Sequence, residues 1–182
     1  MKIHRLHFKN INSLRGEHTV DFDAAPLEGA GLFAITGPTG AGKSTLLDVI
    51  SLALYSQIPR VSTGRGVNKG LIEKTGLVLT ENTTEAHAEV EFTCKAGRYI
   101  SRWSIAKART GNLKDHEMEV HDCQAGQLVD LKKSEVPQYI ERLVGLTYEQ
   151  FIRSISSPPW RRNILSSQTS SFIRSKCSSK GP

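Results

Sequence analysis

The 182 residues carry 24 Lys and Arg against 18 Asp and Glu, a net charge of +6, with three cysteines. A chain of this length holds one sizeable core, or one core and an appendage. No run nears the roughly 18 consecutive apolar residues of a membrane helix, and residues 1–5 alternate charge with apolar groups rather than forming a signal peptide, so a cytoplasmic location without a membrane partner is expected.

Cys94, Cys123 and Cys177 are odd in number and far apart, which argues against a disulfide framework or a zinc site. The charge is unevenly placed. All the acids lie before residue 151 and are matched there by basic residues; the excess comes from Arg153, Arg161, Arg162, Arg174, Lys176 and Lys180. The high isoelectric point therefore describes the tail and gives no reason to assign nucleic-acid binding to the rest.

In chain order, residues 2–9 alternate well enough for a strand, residues 10–16 are turn-rich, and residues 17–22 can return as an antiparallel partner. Residues 23–29, with Pro26, break that pair. A short apolar run, residues 32–35, then reads as the strand that delivers Gly37-Pro38-Thr39-Gly40-Ala41-Gly42-Lys43-Ser44-Thr45. These residues match G-x-x-x-x-G-K-[ST], the phosphate-binding P-loop, whose glycines let backbone amides turn inward to cradle phosphate oxygens. Lys43 would reach the β- and γ-phosphates and the Ser44 hydroxyl would bind Mg²⁺. A helix starting near Lys43 adds unpaired amides and the positive end of its dipole.

That helix carries Leu46, Leu47, Val49, Ile50, Leu52, Ala53, Leu54 and Tyr55 around most of its circumference, as expected of one buried beneath a sheet, and ends before Pro59. Asp48 is its lone interior charge and reads as a solvent- or cap-facing carboxylate. Residues 56–84 are polar and glycine-bearing, a long excursion with little periodicity. Ala86, Ala88, Val90, Phe92 and Cys94 then mark a half-buried strand, residues 98–105 a second with Tyr99, Trp103 and Ile105 on one face, and residues 118–121 a third. Such strands suit an antiparallel β-subdomain beside a parallel nucleotide-binding sheet.

Ser134 is the expected N-cap of a helix bearing Val136, Ile140, Leu143 and Val144 and closed by Gly145. Residues 147–150 fit a capping box for a second helix with Phe151, Ile152 and Ile155. The six histidines form no metal-binding cluster in sequence. From Ser156 onward the chain is serine-heavy, acid-free and basic, and reads as a disordered tail, with a DNA-binding arm as the other reading.

Within P-loop proteins, a GTPase is disfavoured because Asn68-Lys69-Gly70-Leu71 lacks the aspartate that reads guanine. A self-sufficient ATPase needs a second, acidic motif to hold Mg²⁺ and activate water. Leu128-Val129-Asp130 is too short for it, residues 77–81 have the wrong shape, and no Ser-Gly-Gly signature exists.

Residues 10–16, residues 31–48, Leu52-Ala53-Leu54-Tyr55, Pro59-Arg60, residues 88–92 with Tyr99 and Trp103, and residues 145–154 together resemble the N-terminal part of the bacterial exonuclease subunit SbcC, a relative of the SMC superfamily. The resemblance covers residues 1–155. It implies an α/β P-loop NTPase fold, specifically the N-terminal lobe of an ABC-type ATPase head with an antiparallel β-subdomain, an incomplete domain whose remaining motifs lie beyond a long coiled coil.

It also implies ATP and Mg²⁺ as cofactors, bound by Gly37, Pro38, Thr39, Gly40, Ala41, Gly42, Lys43, Ser44 and Thr45, with Ser44 on the metal and no catalytic residue in this chain. The implied partners are an SbcD-like nuclease that carries Mn²⁺, a second copy of the head, and double-stranded DNA. Pro159 stands where the family has a Q-loop glutamine, so residues 156–182 are expected to be a shifted reading frame or a disordered tail. The alternatives are a non-hydrolysing nucleotide-binding or regulatory module and a fragment of an ABC transporter ATPase.

Overall fold

The computed structural model describes residues 1–29, 35–61 and 66–156. The apolar run at 32–34 and the basic tail from 157 to 182, with Pro159 and Cys177, lie outside them. Strand β1 (Lys2–Ile11) places Leu6 and Phe8 on one face, both essentially buried, while His7 and Lys9 point the other way. A two-residue turn, Asn12 and Ser13, leads into β2 (Leu14–Asp21), which pairs antiparallel with β1 from Ile11↔Leu14 to Arg5↔Asp21. Asn12 adopts φ 50°, a left-handed conformation that asparagine tolerates in such turns.

Helix α1 (Lys43–Tyr55) follows, and its buried set spans Leu47 to Tyr55 without interruption. The excursion between α1 and the next strand contains a short helix that the sequence pattern does not announce, α2 (Lys69–Thr75). Its N-cap is Asn68, whose side chain accepts from the Leu71 amide, and it stops at Gly76 in the left-handed conformation. It inserts only Ile72 fully into the core, so it leaves no apolar period.

Three further strands run as a meander: β3 (Glu85–Cys94), β4 (Gly97–Ala106) and β5 (Glu117–Asp122), with a two-residue β6 (Gln127–Leu128) at the edge. The sheet order is β2-β1-β3-β4-β5-β6, with every neighbouring pair antiparallel. Period-two burial follows the expected faces: Ala86, Ala88, Val90 and Phe92 on β3, Tyr99, Trp103 and Ile105 on β4, and Met118 and Val120 on β5.

The described strands form one antiparallel sheet, and the strand expected to deliver the glycine-rich loop, residues 32–35, lies almost wholly outside the described residues. Short turns at Asn12-Ser13 and at Lys95-Ala96 return β2 on β1 and β4 on β3, while β3 joins the sheet through β1.

Helix α1 lies against the apolar face over β1, β3 and β4. The buried Ser101 hydroxyl donates to the Ala53 carbonyl, fixing β4 to the helix at a point where the helix has only a methyl group to accommodate. Helix α3 (Val136–Val144) packs on α1 and β5 through Val136 and Ile140. It starts one residue later than expected: Glu135, not Ser134, is its N-cap, without a side-chain capping bond. Pro137 sits in the first turn, where its missing amide has no partner to lose.

Helix α4 (Tyr148–Ser156) has the capping box read from its sequence: the Gln150 amide donates to Thr147 Oγ1 at 3.4 Å and the Thr147 amide to Gln150 Oε1 at 3.0 Å. Tyr55 closes the packing between α1 and α4. Its ring meets Tyr148 and Phe151, and its hydroxyl donates to the Leu146 carbonyl at 3.2 Å. No helix among the described residues is long and apolar enough to cross a membrane.

Candidate phosphate-binding site

The site begins with backbone that only glycine adopts easily. Gly40 and Gly42 take φ 87° and 81°, and Gly37 takes 156°. The Ala41 amide donates to the Pro38 carbonyl at 3.2 Å, closing a turn, and the Leu46 amide donates to the Gly42 carbonyl at 3.1 Å, starting α1. At Gly42 a Cβ would stand 3.2 Å from Leu14 Cδ2, so β2 supports the loop from below at the point where it enters the helix.

No side chain caps α1 and no acid occupies its first turn. The amides that a cap would satisfy are left for another acceptor, which is the arrangement a phosphate oxygen completes.

Lys43 arches back over this loop. Its ammonium donates to the carbonyls of Gly37 at 2.8 Å and Pro38 at 2.7 Å. Ser44 is exposed beside it, and Thr45, at the next position, is buried. A cleft of about 260 Å³ runs along the loop, lined by Ser13, Thr39, Gly40, Gly42, Lys43, Ser44, Thr45 and Arg60. The lining matches an anion: two cations, two exposed hydroxyl groups of the loop and glycine backbone, with no carboxylate. Ser44, the motif hydroxyl, faces this cleft exposed.

Beneath the cleft lies Asp48, only 1% exposed. This corrects the expectation of a solvent- or cap-facing carboxylate. Position 48 is turned toward the β1–β2 turn, where two donors satisfy it: Arg60 Nη2 and Asn12 Nδ2, both 2.8 Å from Oδ2. Burial pushes its carboxyl up to about 6, and the Arg60 guanidinium and the Asn12 amide pull against that rise.

Asn12 is itself held on both sides, its own amide donating to the Val78 carbonyl at 2.7 Å and its Oδ1 accepting from the Val78 amide at 2.8 Å. Arg60 Nη2 also reaches Thr45 Oγ1 at 3.3 Å, so one guanidinium bridges the loop and the buried acid.

Of residues 37–45, the structure places Thr39, Gly40, Gly42, Lys43, Ser44 and Thr45 along the cleft, with Gly37, Pro38 and Ala41 outside its lining. It adds Ser13, Arg60 and Asn12, which carry no spacing relative to the motif, and sets Asp48, on the helix that follows the motif, beneath them. In the sequence, Asn12 and Arg60 stand only within the stretches that carry the resemblance. A larger cleft, about 470 Å³, lies on the face of the sheet opposite α1, among His87, Arg102 and the Lys9–Glu85 ion pair. The glycine-rich loop does not reach it. The described residues hold no cluster of His, Cys, Asp and Glu that would form an all-protein metal site.

Comparison with known proteins decides the family. Residues 5–171 match the family described as an AAA domain. The chain belongs to the AAA domain family. This AAA domain is 35% identical to the SbcC component of the nuclease SbcCD of Pseudomonas aeruginosa, in an alignment covering all of this chain and 15% of that protein. The corresponding SbcC protein of Rhodobacter capsulatus is 37% identical, over 85% of this chain and 14% of the relative. A protein of Aquifex aeolicus described as a probable DNA double-strand break repair Rad50 ATPase is 26% identical, over 85% and 14%.

These relatives bear out the resemblance to SbcC. The AAA domain spans about one seventh of the length of the curated relatives it matches.

Proposed function

We propose that this chain is the ATP-binding N-terminal lobe of the ATPase subunit of an SbcCD-like nuclease complex that processes double-strand breaks and hairpin ends in DNA. The observation that carries the reading is the uncapped, glycine-built start of α1 with the Lys43 ammonium folded over the loop. In this reading the backbone of residues 37–42 and the first amides of α1 hold the phosphates, Lys43 neutralises the β- and γ-phosphates, and Ser44 holds Mg²⁺. Thr39 and Thr45 flank the phosphates with hydroxyl groups. Bound MgATP would supply the charge that a second head grips across the same face.

Among the described residues no carboxylate lines the cleft, which supports a lobe that binds nucleotide and leaves water activation to groups elsewhere. An SbcD-like nuclease bearing Mn²⁺, a second copy of the head and double-stranded DNA are the partners that the relatives' names and the resemblance support. The lobe belongs, in this reading, to an ABC-type head. A titration of the 182-residue chain with MgATP tests it: wild type binds, and Lys43→Ala lowers affinity at least about tenfold. Equal affinity of the two proteins removes the loop from the assignment.

A further inference from the structure

We propose that Arg60 is a second cation of the phosphate cleft, a direct ligand of a nucleotide phosphate that is aimed by the buried Asp48; the proposal rests on residues 37–45 being the nucleotide site. Arg60 follows α1 by only a few residues, past Pro59, and its side chain comes back along the helix to line the cleft beside Lys43, Ser44 and Thr45. Lys43 and Arg60 are the cations of that lining, and no acid there opposes them.

A buried acid explains why the guanidinium stays in place. Asp48 is 1% exposed, whereas the Arg60 side chain is 40% exposed, so the pair is closed on the helix side and open on the cleft side. Both bonds that Arg60 makes to the described residues, to Asp48 Oδ2 and Thr45 Oγ1, use Nη2. A guanidinium has five N–H donors in a fixed fork, and one inward-facing nitrogen leaves the fork oriented with little rotamer entropy to lose on meeting a phosphate. Because Thr45 Oγ1 accepts from Arg60, its own hydrogen is available to donate. Arg60 therefore charges the cleft and sets the direction of a neighbouring hydroxyl.

The simpler role, neutralising Asp48 without touching ligand, makes a different prediction. The test displaces a fluorescent ATP analogue from the full chain, in Mg²⁺, with ATP, ADP and adenosine. If Arg60 meets phosphate, Arg60→Ala weakens ATP and ADP about tenfold to hundredfold, leaves adenosine unchanged, and Arg60→Lys recovers part of the loss. Equal weakening of all three competitors, or of none, overturns the proposal.

Should Arg60→Ala leave the Asp48 charge too costly for folding, the double variant Asp48→Asn/Arg60→Gln removes the ion pair without stranding a charge, and the same loss for ATP and ADP is expected of it. Lys43→Ala run alongside separates the two claims. Loss of phosphate-dependent binding in Lys43→Ala with wild-type binding in the Arg60 variants overturns the role of Arg60 alone. Wild-type binding in Lys43→Ala overturns the nucleotide site and this proposal with it.

Discussion

Asn12 donates to the buried carboxylate of Asp48 at 2.8 Å, joining the turn of the first hairpin to the middle of α1 across 36 residues of sequence. The same side chain accepts from the Val78 amide. One side-chain amide thus ties α1 to the end of the first hairpin and to the segment at Val78, which meets β1 through the Ile11↔Leu79 bridge, and it shares the buried Asp48 carboxylate with Arg60. Asn12→Ala is expected to destabilise the fold by about 1–3 kcal/mol, read as a lower urea midpoint at unchanged slope. A shift below ~0.5 kcal/mol would mean that water replaces both bonds.

Two titrating groups set opposite pH slopes. Burial raises Asp48 from 3.8 to about 6, so its contribution to stability is complete below about pH 4 and is lost as pH rises through 6. His87, on the other face of the sheet, is lowered from 6.5 to about 4 by burial and by the nearby positive charges of Arg102 and His7. Its contribution is complete above about pH 6.5 and is lost as pH falls through 4. Between about pH 4 and 6 the two largely cancel.

Asp48→Asn should therefore expose a stability that falls on acidification relative to wild type, and His87→Gln one that rises. Urea midpoints between about pH 4 and 7 check both. Parallel profiles for all three proteins would show that neither group titrates as described.

Gly42→Ala should weaken nucleotide binding and lower the melting temperature together. The residue sits at φ 81°, and its new Cβ would meet Leu14 at 3.2 Å. The backbone strain costs roughly 1–2 kcal/mol. Adding Leu14→Ala relieves the contact but not the backbone strain, so the double variant should bind better than Gly42→Ala while remaining below wild type. Full recovery would show that the contact alone matters.

Thr147→Ala removes one half of the reciprocal cap on α4 and is expected to cost ~1 kcal/mol. The loss should be felt at Tyr55, whose ring packs on Tyr148 and Phe151. Near-ultraviolet circular dichroism of the tyrosines, followed with temperature, reports whether α4 loosens before the sheet melts. Coincident transitions would show instead that α4 and the sheet unfold as one unit.

What can be read from sequence is what neighbouring residues determine among themselves. Alternation along Ala86, Ala88, Val90 and Phe92 needs only a sheet with one buried face, and the apolar run of α1 needs only something to lie against. The box at Thr147 and Gln150 and the glycines of the P-loop are likewise short-range chemistry. Local pattern misplaces Asp48 because its environment is made by Asn12 and Arg60, neither of which that pattern contains.

Arg60 and Ser13 enter the cleft by the same non-local route. Helix α2 is silent in the sequence because one buried isoleucine makes no periodic signal. Ser134 yields the cap position to Glu135, two residues before Pro137, which already sets the backbone of the first turn. The single antiparallel sheet follows from turns that are each legible, though the meeting of β1 with β3 is not.

The pairing of β1 with β3 joins Lys9 to His87 and so closes a long segment that contains the P-loop, α1 and α2. Closing it costs chain entropy that the β3–β4 hairpin, whose partners are adjacent in sequence, does not incur. The phosphate loop is thus carried on the part of the chain whose docking depends most on distant contacts. Anything that grips residues 37–45 in the folded state also favours that closure by mass action, so a ligand bound there would act as a clasp for the long loop that carries it.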